Sequence, residues 1–225
     1  MAEKQFQDAE RKQLSMLAKA EKRTLIWLAQ RMPAWVNSDH LTGLGFVAMC
    51  FAGLGYWAAS VDKRALLVVI VALAVNWFGD SLDGTLARVR NRLRPRYGFY
   101  VDHITDAIGT AFLMGGLAFS GYMHPHIGLG LLVAYLLLSI EVYLTTYTLG
   151  AFHLSFSGFG PTELRLLLCI GNLAVYFKGP MGRVMGEQFR IFDIGGVIGI
   201  AGMLLMLLWS AVRHTRELYD AERLP

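Results

Sequence analysis

The sequence contains little cysteine and little charge, and each shortage narrows the class of protein. Its 225 residues include 2 cysteines, Cys50 and Cys169, which lie inside apolar stretches and form no Cys-x-x-Cys pair. Neither a disulfide framework nor a thiolate metal site is therefore predicted. Charged residues make up 17% of the chain against 55% hydrophobic residues, and the mean hydropathy is +0.43. This composition excludes an ordinary soluble domain and predicts a membrane protein.

Repeats of fixed period and low-complexity tracts are also lacking, and what recurs instead is the long apolar stretch. About 20 residues of helix cross the roughly 30 Å of hydrocarbon in a bilayer. Six such stretches occur, at 41–60, 65–82, 99–122, 127–152, 164–177 and 191–212. We therefore predict an all-α fold: an integral membrane bundle of six transmembrane helices over residues 41–212, within a single domain that covers 1–225.

Residues 1–32 differ from the rest because they are charged, and they do not follow the pattern of a secretory signal, so no targeting peptide is expected. Apolar residues recur in this segment near helical spacing, at Phe6, Leu14, Leu17, Leu25 and Leu28. The pattern predicts an N-terminal amphipathic helix that lies on the membrane interface and ends before Pro33. A helix packed on the rest of the protein, or on a second subunit, fits the same pattern.

Basic residues predict the orientation of the bundle. They are concentrated before the first span and in the link between the second and third spans, which carries Arg88, Arg90, Arg92, Arg94 and Arg96. Basic links face the cytoplasm. Both termini are then cytoplasmic, and we expect a cell inner membrane. The net charge of +4 is explained by this topology, so no nucleic-acid partner is predicted.

Carboxylates are unusually placed at the ends of the second and third spans. Asp80 and Asp83 are three residues apart and Asp102 and Asp106 are four apart, so each pair shares one face of a helix. Four ionised carboxylates near a membrane would repel one another unless a cation neutralised them. Their oxygen ligands favour a hard divalent cation, Mg²⁺ or Mn²⁺, and could hold two ions that clamp a diphosphate.

Small residues lie beside these carboxylates. Gly84, Ala87 and Gly98 would let a bulky substrate approach the helix backbone, although for each residue taken alone close helix packing is the better explanation, and only their position beside the aspartates favours a substrate pocket. Arg88 could pair with phosphate oxygens. The remaining arginines of the link are better explained by topology and lipid headgroups.

Together these residues resemble the signature of the CDP-alcohol phosphotransferase (CDP-alcohol phosphatidyltransferase) family, class I, which reads D-x-x-D-G-x-x-A-R, a spacer and G-x-x-x-D-x-x-x-D. Every fixed position is matched, by Asp80, Asp83, Gly84, Ala87, Arg88, Gly98, Asp102 and Asp106. The spacer is one residue longer here than the family's usual pattern. Six spans with cytoplasmic termini also match the family.

The resemblance implies a reaction and a role for each residue. The four aspartates would hold two Mg²⁺ or Mn²⁺ ions on the diphosphate of a CDP-linked donor, and Asp106 would also be the general base. The nucleotide would contact Thr42, Asp83, Gly84, Ala87, Arg88 and Gly98. For Thr42 the alternative is that its neighbours Ser38 or Asp39 simply cap the first helix.

Two short matches resemble the choline and ethanolamine phosphotransferase branch of that family: Asp102-His103 and the Thr162-Glu163-Leu-Arg165 segment. Glu163, and Glu141 deep in the fourth span, are membrane carboxylates and therefore candidates for an acceptor pocket. A helix-start role for Glu163, after Pro161, is the simpler alternative.

The expected partners are a CDP-linked donor, either CDP-diacylglycerol or a soluble CDP-alcohol, a hydroxyl acceptor, membrane lipids and a second copy in a homodimer. Two other functions fit an aspartate cluster in a membrane bundle. A Mg-dependent prenyltransferase generally needs a second Asp-rich motif, which is not found after Asp106. A divalent-cation transporter usually places its site near the membrane midplane, whereas these aspartates lie towards the ends of their spans.

Overall fold

The computed structural model describes residues 18–149, 161–184 and 187–223, and within these ranges the protein is almost entirely helical. The helices are α1 (Ala18–Arg31), α2 (Ser38–Ala59), α3 (Ala65–Val89), α4 (Pro95–Phe119), α5 (Pro125–Leu149), α6 (Pro161–Lys178) and α7 (Ile191–Ala221). Two short strands, β1 (Met181–Val184) and β2 (Glu187–Arg190), lie between α6 and α7. The predicted all-α class is confirmed, with this hairpin as an addition.

Each of the six predicted spans coincides with one of the helices α2 to α7, except that residues 150–152 of the fourth prediction lie outside the described residues. Four of these helices are long and apolar enough to cross a membrane: α2, α3, α5 and α7. The chain is therefore an integral membrane protein. That α4 and α6 also cross the membrane remains a prediction.

Two helices extend well past the apolar stretch that predicted them. The second span was expected to end at residue 82 and the sixth at 212, but α3 continues to Val89 and α7 to Ala221. Hydropathy marks only the part of a helix that lies in hydrocarbon, because polar turns remain helical where water replaces lipid. Both additions are therefore polar turns at the ends of their helices.

Local signals fix where the helices begin. Asn37 caps α2, because its side-chain oxygen accepts a hydrogen bond from the backbone N–H of His40 at 3.0 Å, and the imidazole of His40 accepts the backbone N–H of Asn37 at 3.3 Å. The alternative that Ser38 or Asp39 caps this helix is wrong by one or two residues. Prolines begin α4, α5 and α6, where a missing N–H costs no helical hydrogen bond.

The link between α6 and α7 contains a β-hairpin rather than an irregular loop. Its strands are antiparallel, with Met181 opposite Arg190 and Gly182 opposite Phe189. The sequence analysis treated this stretch only as a connection between spans. Four-residue strands carry too short an alternation of polar and apolar residues to be recognised from a single sequence.

Helix α2 is the centre of the bundle because glycines let both α3 and α4 approach it closely. A Cβ atom added to Gly79 of α3 would lie 2.5 Å from the carbonyl oxygen of Leu41 and 2.7 Å from the nitrogen of Gly45. Gly116 of α4 meets the backbone of Gly53 in the same way. Small residues at these crossings bring backbones together, as is common between membrane helices. Helices α3 and α4 are thus held against a common partner.

The described part of the N-terminal segment packs on the bundle. Leu25 and Ala29 of α1 are 7% and 2% exposed and belong to an apolar cluster with Leu82 and Leu86 of α3. Glu21 accepts a hydrogen bond from the indole N–H of Trp77 at 2.8 Å. For residues 18–31 the structure therefore favours a helix packed on the protein. Residues 1–17, which carry Phe6, Leu14 and Leu17, lie outside the described residues.

Arg90, at the end of α3, fixes the connection between α1 and α2. Its guanidinium donates to the carbonyl oxygens of Met32 and Pro33 at 2.9 Å each, and to the carbonyl oxygen of Val36. A planar fork with several N–H groups suits three carbonyl acceptors better than a lysine would. This arginine of the basic link thus has a structural role, in addition to its contribution to topology.

Candidate active site

The four aspartates lie at the same end of the bundle and at similar depths. Helices α3 and α4 are joined by a short link, so the C-terminal end of one and the N-terminal end of the other are on one side of the membrane. At 1.5 Å rise per residue, Asp83 and Asp80 lie roughly 9 and 14 Å from the end of α3, and Asp102 and Asp106 roughly 11 and 17 Å from the start of α4. All four aspartates therefore lie about 9 to 17 Å along their helices from the linked ends of α3 and α4.

Asp83 is the least exposed of the four aspartates, at 5%. The hydroxyl of Thr42 donates to Asp83 Oδ2 at 2.6 Å, and the backbone N–H of Gly84 lies 2.5 Å from Oδ1. The hydroxyl of Ser38 donates to the backbone carbonyl of Asp83 at 3.3 Å. The first turn of α2 thus binds the aspartate turn of α3, and Thr42 and Asp83, both predicted to contact the nucleotide, lie together.

Asp80 pairs with a cation from α6. The Arg165 guanidinium nitrogen Nη2 lies 2.5 Å from Asp80 Oδ2, while its Nε donates to the side-chain oxygen of Asn76 at 2.8 Å. Asn76 is 3% exposed and its amide nitrogen donates to the backbone carbonyl of Gly45 at 3.0 Å. A series of hydrogen bonds that ends on Asp80 therefore connects helices α2, α3 and α6.

Asp102 and Asp106 are half-buried on α4, next to aromatic side chains of α5. The ring of His103 lies edge to face with that of Tyr143, with centroids 4.7 Å apart, and stacks at a tilt on Phe99 at 4.1 Å. Tyr135 and Tyr143, both on α5, interact electrostatically with Asp106. One face of α5 thus forms a wall beside the predicted general base.

The fit of the four aspartates to a divalent cation differs between their chemistry and their arrangement. Their donor chemistry fits, since all four side chains offer carboxylate oxygens at the same end of the bundle. Within the described ranges, however, no group of three or more His, Cys, Asp or Glu side chains is arranged around one point. Two of the carboxylates are turned to other partners, Asp80 to Arg165 and Asp83 to Thr42. The predicted ligand set stays a prediction.

The small residues of the signature face open space, in contrast to the packed glycines of α2 and α3. A Cβ atom on Gly98 would have nothing within 4 Å, and one on Gly84 would meet only the Arg88 guanidinium at 3.7 Å. Ala87 lines a groove of about 320 Å³ beside this turn. Packing does not require Gly84 or Gly98, which leaves close approach by a ligand as the stronger of the two explanations.

That groove is formed by the start of α2, the end of α3 and the link between α3 and α4. Its lining residues are Asn37, Ser38, Asp39, Leu86, Ala87, Arg90, Arg92, Leu93 and Arg94. Arg94 forms an ion pair with Asp39 at its edge, and Arg88 is exposed on the last turn of α3. The groove lies one turn from Asp83, and the three arginines in its lining suit an anionic ligand.

Glu163 lies in the first turn of α6, two residues before Arg165 on the same helix. This position agrees with the helix-start role that was the simpler alternative. Its neighbour Thr162 donates a hydrogen bond to Glu21 of α1 at 2.8 Å. The start of α6 is thus tied to α1 and, through Arg165, to Asp80.

Glu141 lies between α5 and α7, where its partners come from both helices. Its Oε1 atom is 2.7 Å from His214 Nδ1 and accepts hydrogen bonds from Ser210 at 2.8 Å and Thr145 at 3.0 Å. Tyr143 faces α4, and residues two apart point to nearly opposite sides of a helix. Glu141 is therefore directed away from the α4 aspartates, and its assignment to an acceptor pocket stays a prediction.

We expect the Glu141–His214 pair to stabilise the packing of α5 on α7. The side chains of Glu141 and His214 are only 11% and 17% exposed, so removing either one leaves a polar group without its partner in an apolar surrounding. His214→Leu should lower the thermal midpoint, and the same change should cost less in a Glu141→Gln background. Thermal unfolding of both single variants and the double variant should give a coupling free energy of about 1–3 kcal/mol. Additive effects would contradict a direct interaction.

Arg165, Asn76, Ser210 and His214 were not predicted as members of polar clusters. Arg165 was noted only as part of a short segment, and His214 lies among charged residues near the chain end. Each contacts a partner more than 65 residues away in sequence, as Arg165 does with Asp80 and His214 with Glu141. Spacing along one helix carries no information on such pairs.

Comparison with known proteins gives two findings. Residues 38–211 match a family model described as CDP-alcohol phosphatidyltransferase. The chain is also similar to Cholinephosphotransferase 1 of Danio rerio, with 26% identity over 191 residues. That alignment covers 77% of this chain but 48% of the relative, so the chain spans about half the length of the curated relative that it matches. The matched family region contains all eight residues of the signature.

Proposed function

This chain belongs to the CDP-alcohol phosphatidyltransferase family, and from that premise we propose that it is a membrane transferase of phospholipid biosynthesis. It moves a phospho-alcohol or phosphatidyl group from a CDP-linked donor to an acceptor hydroxyl and releases CMP. One observation carries the proposal. The family match over residues 38–211 includes the complete signature, from Asp80 to Asp106, on two helices that are joined by a short link and pack on α2.

The cofactor of the proposed reaction is a divalent metal, as is general for the family. We assign it as Mg²⁺ or Mn²⁺, with two ions held by the carboxylates of Asp80, Asp83, Asp102 and Asp106. When bound, such ions polarise the phosphorus of the donor and stabilise the negative charge on the leaving phosphate. One oxygen of this set, Asp80 Oδ2, is already paired with the Arg165 guanidinium.

The protein's own residues bind the donor and move one proton. Thr42, Gly84, Ala87, Arg88 and Gly98 form the nucleotide site, in which the open space over both glycines lets the cytidine contact the helix backbone. Asp106 takes the proton of the acceptor hydroxyl. The acceptor oxygen then forms a bond to the phosphorus remote from cytidine, the bond to the CMP oxygen breaks, and CMP leaves.

The donor that we favour is a soluble CDP-alcohol, with a lipid hydroxyl as acceptor. Similarity to a cholinephosphotransferase supports this choice over CDP-diacylglycerol. The Asp102-His103 pair and the Thr162-Glu163 pair support the same branch. Glu163 lies on the helix that supplies Arg165 and is the better placed of the two acceptor-pocket candidates, because Glu141 is directed towards α7.

The location and assembly of the enzyme follow from the bundle and its charges. We propose that all six helices α2 to α7 cross a cell inner membrane, with both termini and the active site facing the cytoplasm. The groove with Arg90, Arg92 and Arg94 beside the site supports this orientation, since basic residues favour the cytoplasmic side. A homodimer is also proposed, by analogy with the family.

The proposal is tested by CMP release from the purified protein in lipid nanodiscs with Mg²⁺. CDP-choline, CDP-ethanolamine and CDP-diacylglycerol are each supplied with a lipid hydroxyl or a small polar alcohol. We expect CMP release that depends on the acceptor, stops with a chelator and is fastest with CDP-choline or CDP-ethanolamine. Release only from CDP-diacylglycerol would keep the family reaction and overturn the favoured donor.

The two alternative functions predict different results in the same preparation. A prenyltransferase would consume a prenyl diphosphate and would not bind cytidine nucleotides. A cation transporter would move Mn²⁺ across liposomes without any CMP release. The family match supports neither of them. If folded protein released no CMP from any donor, the proposed reaction would be rejected.

A further inference from the structure

Arg165 is a largely buried cation that lies beside the aspartates of the signature. Its side chain is 15% exposed, and it pairs with a carboxylate that the signature assigns to metal binding. A guanidinium keeps its charge in proteins, and a buried cation needs an anionic partner or hydrogen-bond acceptors. Within the described ranges, its contacts are with Asp80 and Asn76, both of which lie on α3.

The two partners of Arg165 differ in charge and in burial. Asn76 is buried at 3% exposure and is held in turn by the backbone carbonyl of Gly45, so the Nε end of the guanidinium has a fixed anchor. Asp80 is 31% exposed and accepts the Nη2 end. A cation that reaches Asp80 can therefore displace Nη2 without removing Arg165 from the site, because Nε stays on Asn76.

Once Asp80 binds a metal, the displaced Nη2 lacks an anionic partner. The diphosphate of the donor would bring negative charge to the same place, and a guanidinium fork matches two phosphate oxygens. We propose that Arg165 competes with the metal for Asp80 and, when displaced, binds the diphosphate of the nucleotide donor. The proposal rests on the proposed function for the metal and the diphosphate. It assigns to Arg165 the coupling of metal binding to donor binding.

This coupling has a consequence that a purely structural arginine would not have. Removing the guanidinium frees Asp80, so the divalent cation should bind more tightly although catalysis becomes slower. An opposite charge beside a carboxylate shifts its affinity for a proton by about 1–3 pKa units, and we expect a similar sense and scale for a metal ion. Loss of the phosphate contact should at the same time weaken nucleotide binding.

The test measures Mn²⁺ binding by electron paramagnetic resonance and CDP binding by calorimetry, on the full chain in nanodiscs. Arg165→Gln is expected to bind Mn²⁺ about tenfold more tightly than the unsubstituted protein and, with Mn²⁺ present, to bind CDP about tenfold more weakly. Arg88→Gln is the matched control, because Arg88 is exposed and has no contact with Asp80. It should weaken CDP binding and change Mn²⁺ affinity by less than about twofold, since exposed charges are screened.

Unchanged or weaker Mn²⁺ binding in folded Arg165→Gln would overturn the proposal, as would unchanged CDP binding. If Arg165→Gln does not fold, Arg165→Lys decides, because lysine cannot contact Asp80 and Asn76 as a fork and should raise Mn²⁺ affinity about threefold. Unaltered Mn²⁺ affinity in the lysine variant would then reject it. Neither measurement uses turnover. Absence of CMP release would reject the proposed function, whereas an unchanged Mn²⁺ or CDP affinity in the variant would reject only the role of Arg165.

Discussion

Replacement of Asp106 by asparagine is expected to abolish CMP release while leaving the protein folded. The amide cannot accept the proton of the acceptor hydroxyl, and general-base removal alone typically slows a reaction by about 10²- to 10⁴-fold. Asparagine has nearly the shape of aspartate, and Asp106 is half-buried beside Tyr135 and Tyr143 rather than inside the apolar core. CMP release under saturating donor, together with a thermal unfolding curve, measures both effects.

The matched control for this change is Asp62→Asn. Asp62 is exposed in the link between α2 and α3, at the opposite end of α3 from the aspartates, and accepts a hydrogen bond from the backbone N–H of Arg64. Its variant should retain full activity. Turnover within about threefold of the unsubstituted protein in folded Asp106→Asn would remove Asp106 as the base. The role would then pass to another group on α4 or α6.

The bundle could be predicted because helices that are buried in a membrane appear in the sequence as long apolar stretches. The six apolar stretches coincide with six helices, and local chemistry marks where four of them begin, with Asn37 before α2 and prolines at the start of α4, α5 and α6. The boundaries that were missed lie where α3 and α7 continue as polar helix beyond the apolar stretch. The hairpin of β1 and β2 was missed because its strands have four residues each.

In the candidate site, too, features within one helix could be predicted from the sequence, whereas contacts between helices could not. The signature gave residues on two helices, and helical spacing alone predicts that Asp80 and Asp83 share a face. Thr42 was included only through resemblance, and its contact with Asp83 was not predicted, since the two residues lie on different helices. Arg165 on Asp80 and His214 on Glu141 could not be predicted from spacing, because contacts between distant helices depend on how those helices pack.

Glycine has two opposite functions in this bundle, and only the structure separates them. Gly79 lies where α3 touches α2, and a side chain there would overlap the backbone of Leu41 and Gly45. Gly84, five residues later on the same helix, faces open space beside Asp83. The sequence shows both as glycines in one apolar helix, with the signature as the distinguishing feature. The first allows the helices to pack, and the second leaves room for the proposed nucleotide.

A pair of substitutions on α3 therefore tests the nucleotide site against the packing explanation. Gly84→Leu should fold at least as well as the unsubstituted protein, because a Cβ there meets only the flexible end of Arg88 and leucine favours a helix over glycine by about 0.5–1 kcal/mol. It should nevertheless weaken CDP binding about 100-fold or more, since the added side chain fills the space proposed for cytidine. Calorimetric titration with CDP and thermal unfolding measure the two effects.

Gly79→Ala is the control, and its expected effects are the reverse. One methyl group that would lie 2.5 Å from the Leu41 carbonyl oxygen forces α3 away from α2, at a cost of about 1–3 kcal/mol of unfolding free energy. CDP affinity in the protein that remains folded should fall far less than in Gly84→Leu. Full CDP binding by Gly84→Leu would place the nucleotide elsewhere, and the groove beside Ala87 would become the next region to test. Loss of folding in Gly84→Leu would instead return Gly84 to a packing role, because no ligand is needed to explain a glycine that the fold itself requires.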